Sequence, residues 1–372
     1  MQKLLTGNQI IVQAMLDAGA EAFFGYPITP ASEILEGWMK ESCKNKNLIS
    51  AQTEDEISAG FALIGSVLAG KKAFTATSGP GNVIMQDAFS MAEAMRLPTV
   101  AFIMQRGGPS TGTVIYSQSE VNLTCFGGNG EGMRIVYSPS SLEELYKISR
   151  QALFVAWKYR FPVFILADGY QAKMRGNFEV SEKNGDGVKT EAYLLSQENT
   201  SLERKMPIGS FLQTKEKDRF CTSVRNCYNT EEELYSANQS TINAFDKCRS
   251  EIEQCEIVNT ENAETLIIAH GIVASAFATS FAKATAVKKA TADKVAGKAG
   301  LFRPITLNPF PANDLVKNVK DKKKIIIIES AYNQLGRIVK DALGGIKIDI
   351  EEIYHSGEGF TPDDIENIIN NK

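Results

Sequence analysis

Residues 73–95, AFTATSGPGNVIMQDAFSMAEAM, predict a strand, a tight turn and a helix in direct succession. The stretch AFTAT is built from β-branched, aromatic and small apolar residues, a composition that suits a buried strand. The turn SGPGN brings two glycines and a proline together, and we expect a helix from about 82 to 95. A strand that leads directly into a helix is the repeating unit of mainly parallel α/β sheets.

The same alternation extends on both sides of this unit, from residue 7 to about 172. Further strands are predicted at AFF, LIS, TVAFIM, RIVY and VFILAD, and further helices at about 31–43, 55–69 and 141–158. Strands that alternate with helices imply a mainly parallel sheet with both faces covered. We therefore predict a first α/β domain at residues 1–175.

The alternation stops between residues 176 and 260, where polar and charged residues dominate. We interpret 176–260 as a polar linker segment on the surface, with a charged helix near 230–255. Alternation resumes in TLIIAHG, RPITLNPFP, KKIIIIES and IKIDIEEI, with a helix at about 272–288. Residues 261–372 are therefore predicted to form a second, smaller α/β domain.

Composition argues against several classes of protein and site. The 372 residues carry a net charge of -4, which gives no reason to expect a nucleic-acid partner or a membrane surface. Apolar residues near the N-terminus are interrupted by acids and spaced as in a helix, so neither a signal peptide nor a membrane span is predicted, and a cytoplasmic location is expected. The six cysteines form no CxxC pair and the only histidines are His270 and His355, so no metal or iron–sulfur site is predicted in this chain.

Three polar motifs each follow a predicted strand of the first domain: YPITP at 26–30, SGPGN at 78–82 and QRGGPSTG at 105–112. Parallel strands have their carboxyl ends at one edge of the sheet, and ligands bind beyond that edge. The motifs therefore predict one ligand site.

Thr29 lies between two prolines that restrain its backbone, so its hydroxyl is either a helix cap or directed at a ligand. Arg106 offers a fork that suits a carboxylate or phosphate, although a structural ion pair is an equal alternative. The glycines of TSGPG could bring backbone N–H groups close to an anion or a ring edge, or they could serve a tight turn alone.

The stretch QTEDE places Glu54, Asp55 and Glu56 at the start of a very apolar helix. Acids in a first turn complement the helix dipole, which is the simplest explanation. The alternative is that one carboxylate is partly buried there and poised for proton transfer.

These motifs in this order, together with RPITLNPFP at 303–311, resemble the α subunit of 2-oxoacid:ferredoxin oxidoreductases, and the 2-oxoglutarate branch most. The resemblance is strong over residues 5–172 and moderate over 264–345. It implies a thiamine-diphosphate-binding, pyrimidine-type parallel-sheet domain followed by a transketolase C-terminal-like α/β domain. It also implies coenzyme A-dependent oxidative decarboxylation of a 2-oxoacid, with 2-oxoglutarate giving succinyl-CoA and electrons passing to ferredoxin.

The same resemblance implies a heteromeric enzyme. Thiamine diphosphate would be shared with a β subunit that carries the diphosphate and magnesium motif. Magnesium and the Fe4S4 cluster would belong to partner subunits, which include the β subunit and further γ and ferredoxin-like δ subunits. The GDG at 185–187 starts like the diphosphate motif, but no Asn pair follows at the required distance, so it is interpreted as a turn.

Residue roles also follow from the resemblance alone. Glu54 would be the catalytic glutamate that pairs with the aminopyrimidine, and Thr29 and Arg106 would bind the substrate carboxylate. The remaining cofactor contacts would come from Tyr26, Pro27, Gly79 and Gly81.

Two departures from the family pattern leave the substrate open. Thr113, Val114, Ile115 and Tyr116 replace the Leu-Pro-Thr of many 2-oxoglutarate enzymes, and Asn129 stands where many members carry histidine. A branched-chain or aryl 2-oxoacid is therefore an alternative substrate, and a non-catalytic partner subunit is an alternative function.

Overall fold

The computed structural model describes residues 2–179, 224–261, 263–287 and 299–370. A seven-stranded sheet, the first sheet, contains β2 (Ala22–Gly25), β3 (Ile49–Gln52), β4 (Ala73–Thr77), β5 (Val100–Gln105), β6 (Ile135–Tyr137), β7 (Val163–Asp168) and β12 (Thr306–Asn308). Its strand order is β12-β6-β7-β5-β4-β2-β3, and every pair is parallel except β12 with β6. The predicted parallel sheet is confirmed.

Helices cover both faces of this sheet because side chains along each strand point alternately to opposite sides. Its helices are α1 (Gly7–Asp17), α2 (Ser32–Lys44), α3 (Glu56–Leu68), α4 (Pro80–Ile84), α5 (Gln86–Ala94), α6 (Val121–Phe126), α7 (Leu142–Tyr159) and α8 (Gly169–Lys173). On β5, Phe102 belongs to the core under α1, α2 and α7, whereas Ile103 belongs to the core under α5 and α6. The single helix predicted at 82–95 is divided at Met85 into α4 and α5.

A second sheet confirms the second α/β domain. Its strands are β9 (Cys255–Val258), β10 (Thr265–Ile268), β11 (Ala299–Pro304), β13 (Lys324–Glu329) and β14 (Asp349–Tyr354), in the order β14-β13-β10-β11-β9. Only β9 is antiparallel to its neighbour. The helices of this part are α10 (Gly271–Val287), α11 (Ala312–Val319), α12 (Leu335–Leu343) and α13 (Pro362–Asn370).

The structure differs from the sequence interpretation around the predicted linker. An additional antiparallel pair joins β1 (Gln2–Thr6) to β8 (Arg175–Glu179), so regular structure crosses residue 175. The expected charged helix is present as α9 (Glu231–Ile252), but its buried residues Phe245, Cys248 and Ile252 pack into the core of the first sheet. The predicted turn at 185–187 and most of the predicted linker lie outside the described residues.

Candidate active site

The three predicted motifs meet at the carboxyl edge of the first sheet, where YPITP follows β2, SGPGN follows β4 and Arg106 follows β5. Arg106 Nη1 donates to the carbonyl oxygen of Thr29 at 2.9 Å. A Cβ atom on Gly79, whose φ is +51°, would lie only 2.8 Å from Arg106 Nε. The absence of a side chain at Gly79 thus lets the arginine pass over the turn.

The acidic stretch before α3 divides into one exposed and one buried glutamate. Glu54 is exposed, and the hydrogen bond that its carboxylate accepts from the Ser58 hydroxyl lowers its pKa. Glu56 is only 7% exposed, and a Cβ on Gly81 would lie 2.6 Å from its Oε1 atom. Burial raises the pKa of Glu56, and the positive charge of Arg106 acts in the opposite direction. The buried carboxylate of this stretch thus belongs to Glu56, whereas the resemblance had assigned the catalytic role to Glu54.

Helix geometry explains this placement. Asp55 caps α3 by accepting the Ser58 N–H at 2.7 Å, so Glu56 is the first residue of the helix. Residues three and four apart share a face, and Glu56 begins the buried stripe of α3. That stripe contains Glu56, Ala59, Gly60, Leu63, Ile64 and Val67. The same helical spacing in the sequence was a signal that favoured Glu56 over Glu54.

Three buried polar atoms at the ends of β4 and β5 have no hydrogen-bond partner among the described residues: Thr77 Oγ1, Ser78 Oγ and Arg106 Nε. A Cβ on Gly81 would lie 2.1 Å from Thr77 Oγ1, so this hydroxyl and the Glu56 carboxyl face the same glycine. An unmade hydrogen bond at a buried polar atom costs about 1–3 kcal/mol. The arrangement therefore suits a ligand with a polar edge.

The YPITP segment is mostly exposed, and Tyr26, Pro27 and Thr29 are all accessible. The structure excludes the helix-cap alternative for Thr29, because α2 begins after Ala31 without a side-chain cap. The contact with Arg106 uses the Thr29 carbonyl, so its hydroxyl is not required for holding the arginine.

Glu120 is a buried residue of the site that the sequence analysis missed. Its Oε1 atom accepts the N–H groups of Gly79 and Arg106 at 3.0 and 3.1 Å, and its Oε2 atom accepts Asn82 Nδ2 at 3.0 Å. Burial raises its pKa, and these hydrogen bonds oppose that effect. Glu120 is a single acidic residue between the QRGGPSTG loop and a short helix, and it belongs to no repeating pattern of apolar residues that would have indicated its burial.

The two departures from the family pattern lie in different places. The 113–116 segment reaches the carboxyl edge, where the Ile115 carbonyl lies so close to Gly169 that a Cβ there would be 1.4 Å away. Beside it, burial raises the pKa of Asp168 to about 7. Asn129 instead donates its backbone N–H to Ser90 on α5. The 113–116 segment is therefore expected to affect a bound ligand more directly than Asn129 does.

Comparison with known proteins identifies the family of this chain. Residues 13–256 match the family model of the thiamine-diphosphate-binding domain of pyruvate flavodoxin/ferredoxin oxidoreductases, and residues 263–365 match core domain II of pyruvate:ferredoxin oxidoreductases. The chain belongs to this oxidoreductase family. The resemblance inferred from the motifs and the predicted fold class are confirmed.

Similar members of the oxidoreductase family act on different acids, according to their names. The ketoisovalerate oxidoreductase subunit VorB of Methanothermobacter marburgensis is 30% identical, over 92% of this chain and 90% of the relative. The 2-oxoglutarate synthase subunit KorA of Methanocaldococcus jannaschii is also 30% identical, over 99% of each chain. Sequence identity alone thus does not separate the two substrates.

Solved structures support the same fold. The 2-oxoglutarate:ferredoxin oxidoreductase from Magnetococcus marinus, with 2-oxoglutarate, coenzyme A and succinyl-CoA bound, matches with a TM-score of 0.79 and 27% identity. The match covers 100% of this chain and 65% of that chain, so this chain spans about two thirds of its length. A split-gene transketolase matches with a TM-score of 0.56 at 11% identity, which shows a shared fold alone.

Two features are absent from the described parts of the chain. No helix there combines the length and the apolar character that crossing a membrane requires. No cluster of three or more His, Cys, Asp or Glu residues there could hold a metal ion.

Proposed function

We propose that this chain is the α subunit of a coenzyme A-dependent 2-oxoacid:ferredoxin oxidoreductase that is active only with a partner β subunit. The observation that carries the proposal is the Glu56 carboxyl, buried against Gly81 at the carboxyl edge of the first sheet. A non-catalytic subunit would not need a buried acid at an edge that also holds an arginine and two hydroxyls without partners in the described part of the chain.

The residues present fit the aminopyrimidine of thiamine diphosphate. When bound, this cofactor supplies a carbanion that attacks the substrate and an electron sink for decarboxylation. Glu56 would hold a ring nitrogen, and its raised pKa favours the protonated carboxyl that can donate to that atom. The unpaired hydroxyls of Thr77 and Ser78 are available for the polar edge of the ring.

Arg106 would bind the substrate carboxylate, with the exposed Thr29 beside it. Its guanidinium is buried next to the site and its Nε has no hydrogen-bond partner among the described residues. Burial strengthens a contact between an arginine and a carboxylate, and the contact orients the acid for reaction. We propose 2-oxoglutarate as the substrate because the Magnetococcus enzyme binds it.

A branched-chain 2-oxoacid is the second candidate. Val114 and Ile115 are exposed apolar residues in the segment that departs from the 2-oxoglutarate pattern, and they favour an apolar side chain on the substrate. The equally identical ketoisovalerate relative supports the same alternative.

The experiment that tests the function is viologen reduction by the complex, purified without oxygen from its native host. We expect reduction that requires coenzyme A together with either 2-oxoglutarate or 2-oxoisovalerate. The ratio of the kcat/KM values for these two acids shows whether the enzyme belongs to the 2-oxoglutarate or the branched-chain branch of the family. A complex that contains thiamine diphosphate but reduces viologen with none of the 2-oxoacids would refute the proposal.

The proposed partner is a β subunit that supplies the diphosphate and magnesium motif and the Fe4S4 cluster, with γ and δ subunits completing a cytoplasmic complex. Four exposed apolar residues lie on α3, the helix that carries Glu56, and on the neighbouring α4, and they would contact the β subunit. We name them the docking patch: Ile57, Phe61, Val83 and Ile84. Apolar surface of this kind marks protein–protein contacts.

Ile57→Lys is expected to abolish co-purification of the partner, because it places a charge within the apolar contact. Leu4→Lys is the matched control, since Leu4 is 60% exposed but lies on β1, outside the docking patch. The measurement is recovery of the β subunit with the tagged chain after co-expression. Equal recovery with both variants would show that the patch is not the contact surface.

Gly81→Ala is expected to empty the complex of thiamine diphosphate, because the added Cβ would collide with Thr77 Oγ1 and Glu56 Oε1. Gly65→Ala is the control: this helical glycine has open space at its Cβ position, so alanine should stabilise the fold by about 0.5–1 kcal/mol. The measurement is the cofactor content of each purified complex and its Tm. Full occupancy in Gly81→Ala would contradict this geometry.

A further inference from the structure

Glu120 fixes the backbone of two site residues at once. Because its Oε1 atom accepts the N–H groups of both Gly79 and Arg106, it ties the end of β4 to the end of β5. The turn that carries Gly79 therefore cannot shift independently of Arg106.

This attachment determines where the Arg106 side chain lies. The guanidinium crosses Gly79 within contact distance and its Nη1 atom reaches the Thr29 carbonyl at 2.9 Å. If Glu120 loses its position, both the backbone under Arg106 and the turn beneath its side chain are released.

The second domain holds the segment that carries Glu120. Gln118 exchanges backbone and side-chain hydrogen bonds with Ser330, and its Nε2 atom donates to the His270 carbonyl at 3.0 Å. On the other side of Glu120, Asn122 donates both its N–H and its Nδ2 to Gln334 Oε1, at 3.0 and 2.9 Å. Contacts with the second domain thus fasten the chain two residues before and two residues after Glu120.

A buried carboxylate orders the turn of the second domain that makes these contacts. Glu329, at the end of β13, accepts the backbone N–H groups of Gln334, Leu335 and Gly336 at 3.0, 2.8 and 3.1 Å. Residues 329–336 are therefore held as one unit at the start of α12. Hydrogen bonds, together with the backbone of the 118–122 segment, therefore connect Glu329 and this turn to the active-site edge.

We propose that Glu120 is a positioning residue for Arg106 and Gly79. The 329–336 turn of the second domain holds Glu120 in place and thereby orders Arg106, the arginine that binds substrate. The inference rests on the proposed function, in which Arg106 binds the substrate carboxylate. It assigns the second domain a part in substrate binding without direct contact with substrate.

Glu120→Gln tests the proposal with little change of shape. The new amide keeps an oxygen for Gly79 and Arg106, but its NH2 group would face the Asn82 NH2 donor. In the double variant Glu120→Gln/Asn82→Asp the carboxylate introduced at position 82 accepts from the amide introduced at position 120, so the hydrogen bond and the charge are both restored. Rescue by the second change separates positioning from general damage.

The first readout does not depend on turnover. Phenylglyoxal labelling of the assembled complex, mapped by mass spectrometry, reports how accessible Arg106 is, with the exposed Arg249 and Arg337 as internal references. We expect Glu120→Gln to label Arg106 about tenfold faster, and the double variant to return to within about twofold of the native rate. Labelling of the reference arginines should stay constant.

The second readout is kinetic. Glu120→Gln should raise the KM for the 2-oxoacid about tenfold, while the KM for coenzyme A stays unchanged. A native labelling rate together with a native KM in folded Glu120→Gln would overturn the inference. Absence of turnover in the native complex would refute the proposed function, and the labelling would still decide the positioning role.

Gln334→Met tests the contribution of the second domain, because it removes the acceptor for Asn122 at nearly constant volume. We expect Arg106 to label about threefold faster in this variant. Lys340→Met, on an exposed face of the same helix, is the matched control and should label at the native rate. If Glu120→Gln does not fold, the test rests on Gln334→Met. Labelling of Arg106 at the native rate in that variant would then overturn the inference.

Discussion

Glu56→Gln will lower the turnover of the assembled complex by at least about 100-fold, whereas Glu54→Gln will leave it within about threefold. The reason is their environment: Glu56 is buried against Gly81 beside unpaired hydroxyls, and Glu54 is exposed and bonded to Ser58. Both substitutions exchange a carboxyl for an amide of the same shape, so they differ only in which acid is removed. The measurement is kcat for viologen reduction with saturating 2-oxoacid and coenzyme A.

The control for this pair of variants is that both form folded complexes with the partner subunit. Circular dichroism and partner content should be the same in both variants, so that a lost rate reflects chemistry. Loss of turnover in Glu54→Gln with retention in Glu56→Gln would return the catalytic assignment to the residue that the resemblance had indicated.

Arg106→Ala is expected to cost about 2–5 kcal/mol of substrate binding, the range for removing one member of a buried charge pair. That cost corresponds to roughly a 30-fold to several-thousand-fold increase in the KM for the 2-oxoacid. Arg106→Lys should fall between Ala and the native residue, because lysine keeps the charge and loses the bidentate fork. The measurement is the KM for the 2-oxoacid at saturating coenzyme A.

Two controls isolate the role of the guanidinium. Thr29→Ala removes a hydroxyl and keeps the backbone carbonyl that Arg106 contacts. Any change in the KM for the 2-oxoacid in this variant is therefore due to the hydroxyl alone. Arg249→Ala removes an exposed arginine paired with Glu253 and should leave KM unchanged. An unchanged KM in Arg106→Ala would make Arg106 a structural residue.

Much of the fold could be predicted because its central strands are buried on both faces. AFTAT and VFILA are uninterrupted apolar or β-branched runs; β4 coincides with the first run, and β7 extends one residue beyond the second, to Asp168. The pairing of β1 with β8 joins residues more than 160 positions apart, and no local pattern encodes such a contact. The packing of Phe245 against Phe161 was hidden for the same reason, inside a segment that is polar overall.

The sequence predicted that the site lies at the carboxyl edge of the first sheet, but it did not predict every residue of the site. Motifs after parallel strands must share one end of the sheet, and this rule brought Arg106, Gly79 and Thr29 together. Choosing between Glu54 and Glu56 required the start of α3, because Glu54 precedes the Asp55 cap, whereas Glu56 is the first residue of the helix and belongs to its buried face. Glu120 could not be found because its partners come from separate segments of the chain.

The central claim is that the carboxyl edge of the first sheet holds the aminopyrimidine against Glu56. An experimental structure of the assembled complex with thiamine diphosphate tests it most directly. We predict a Glu56 carboxyl oxygen within about 3 Å of a pyrimidine nitrogen, with the ring over Gly81. A ring bound to Glu54, or bound away from this edge, would contradict the account.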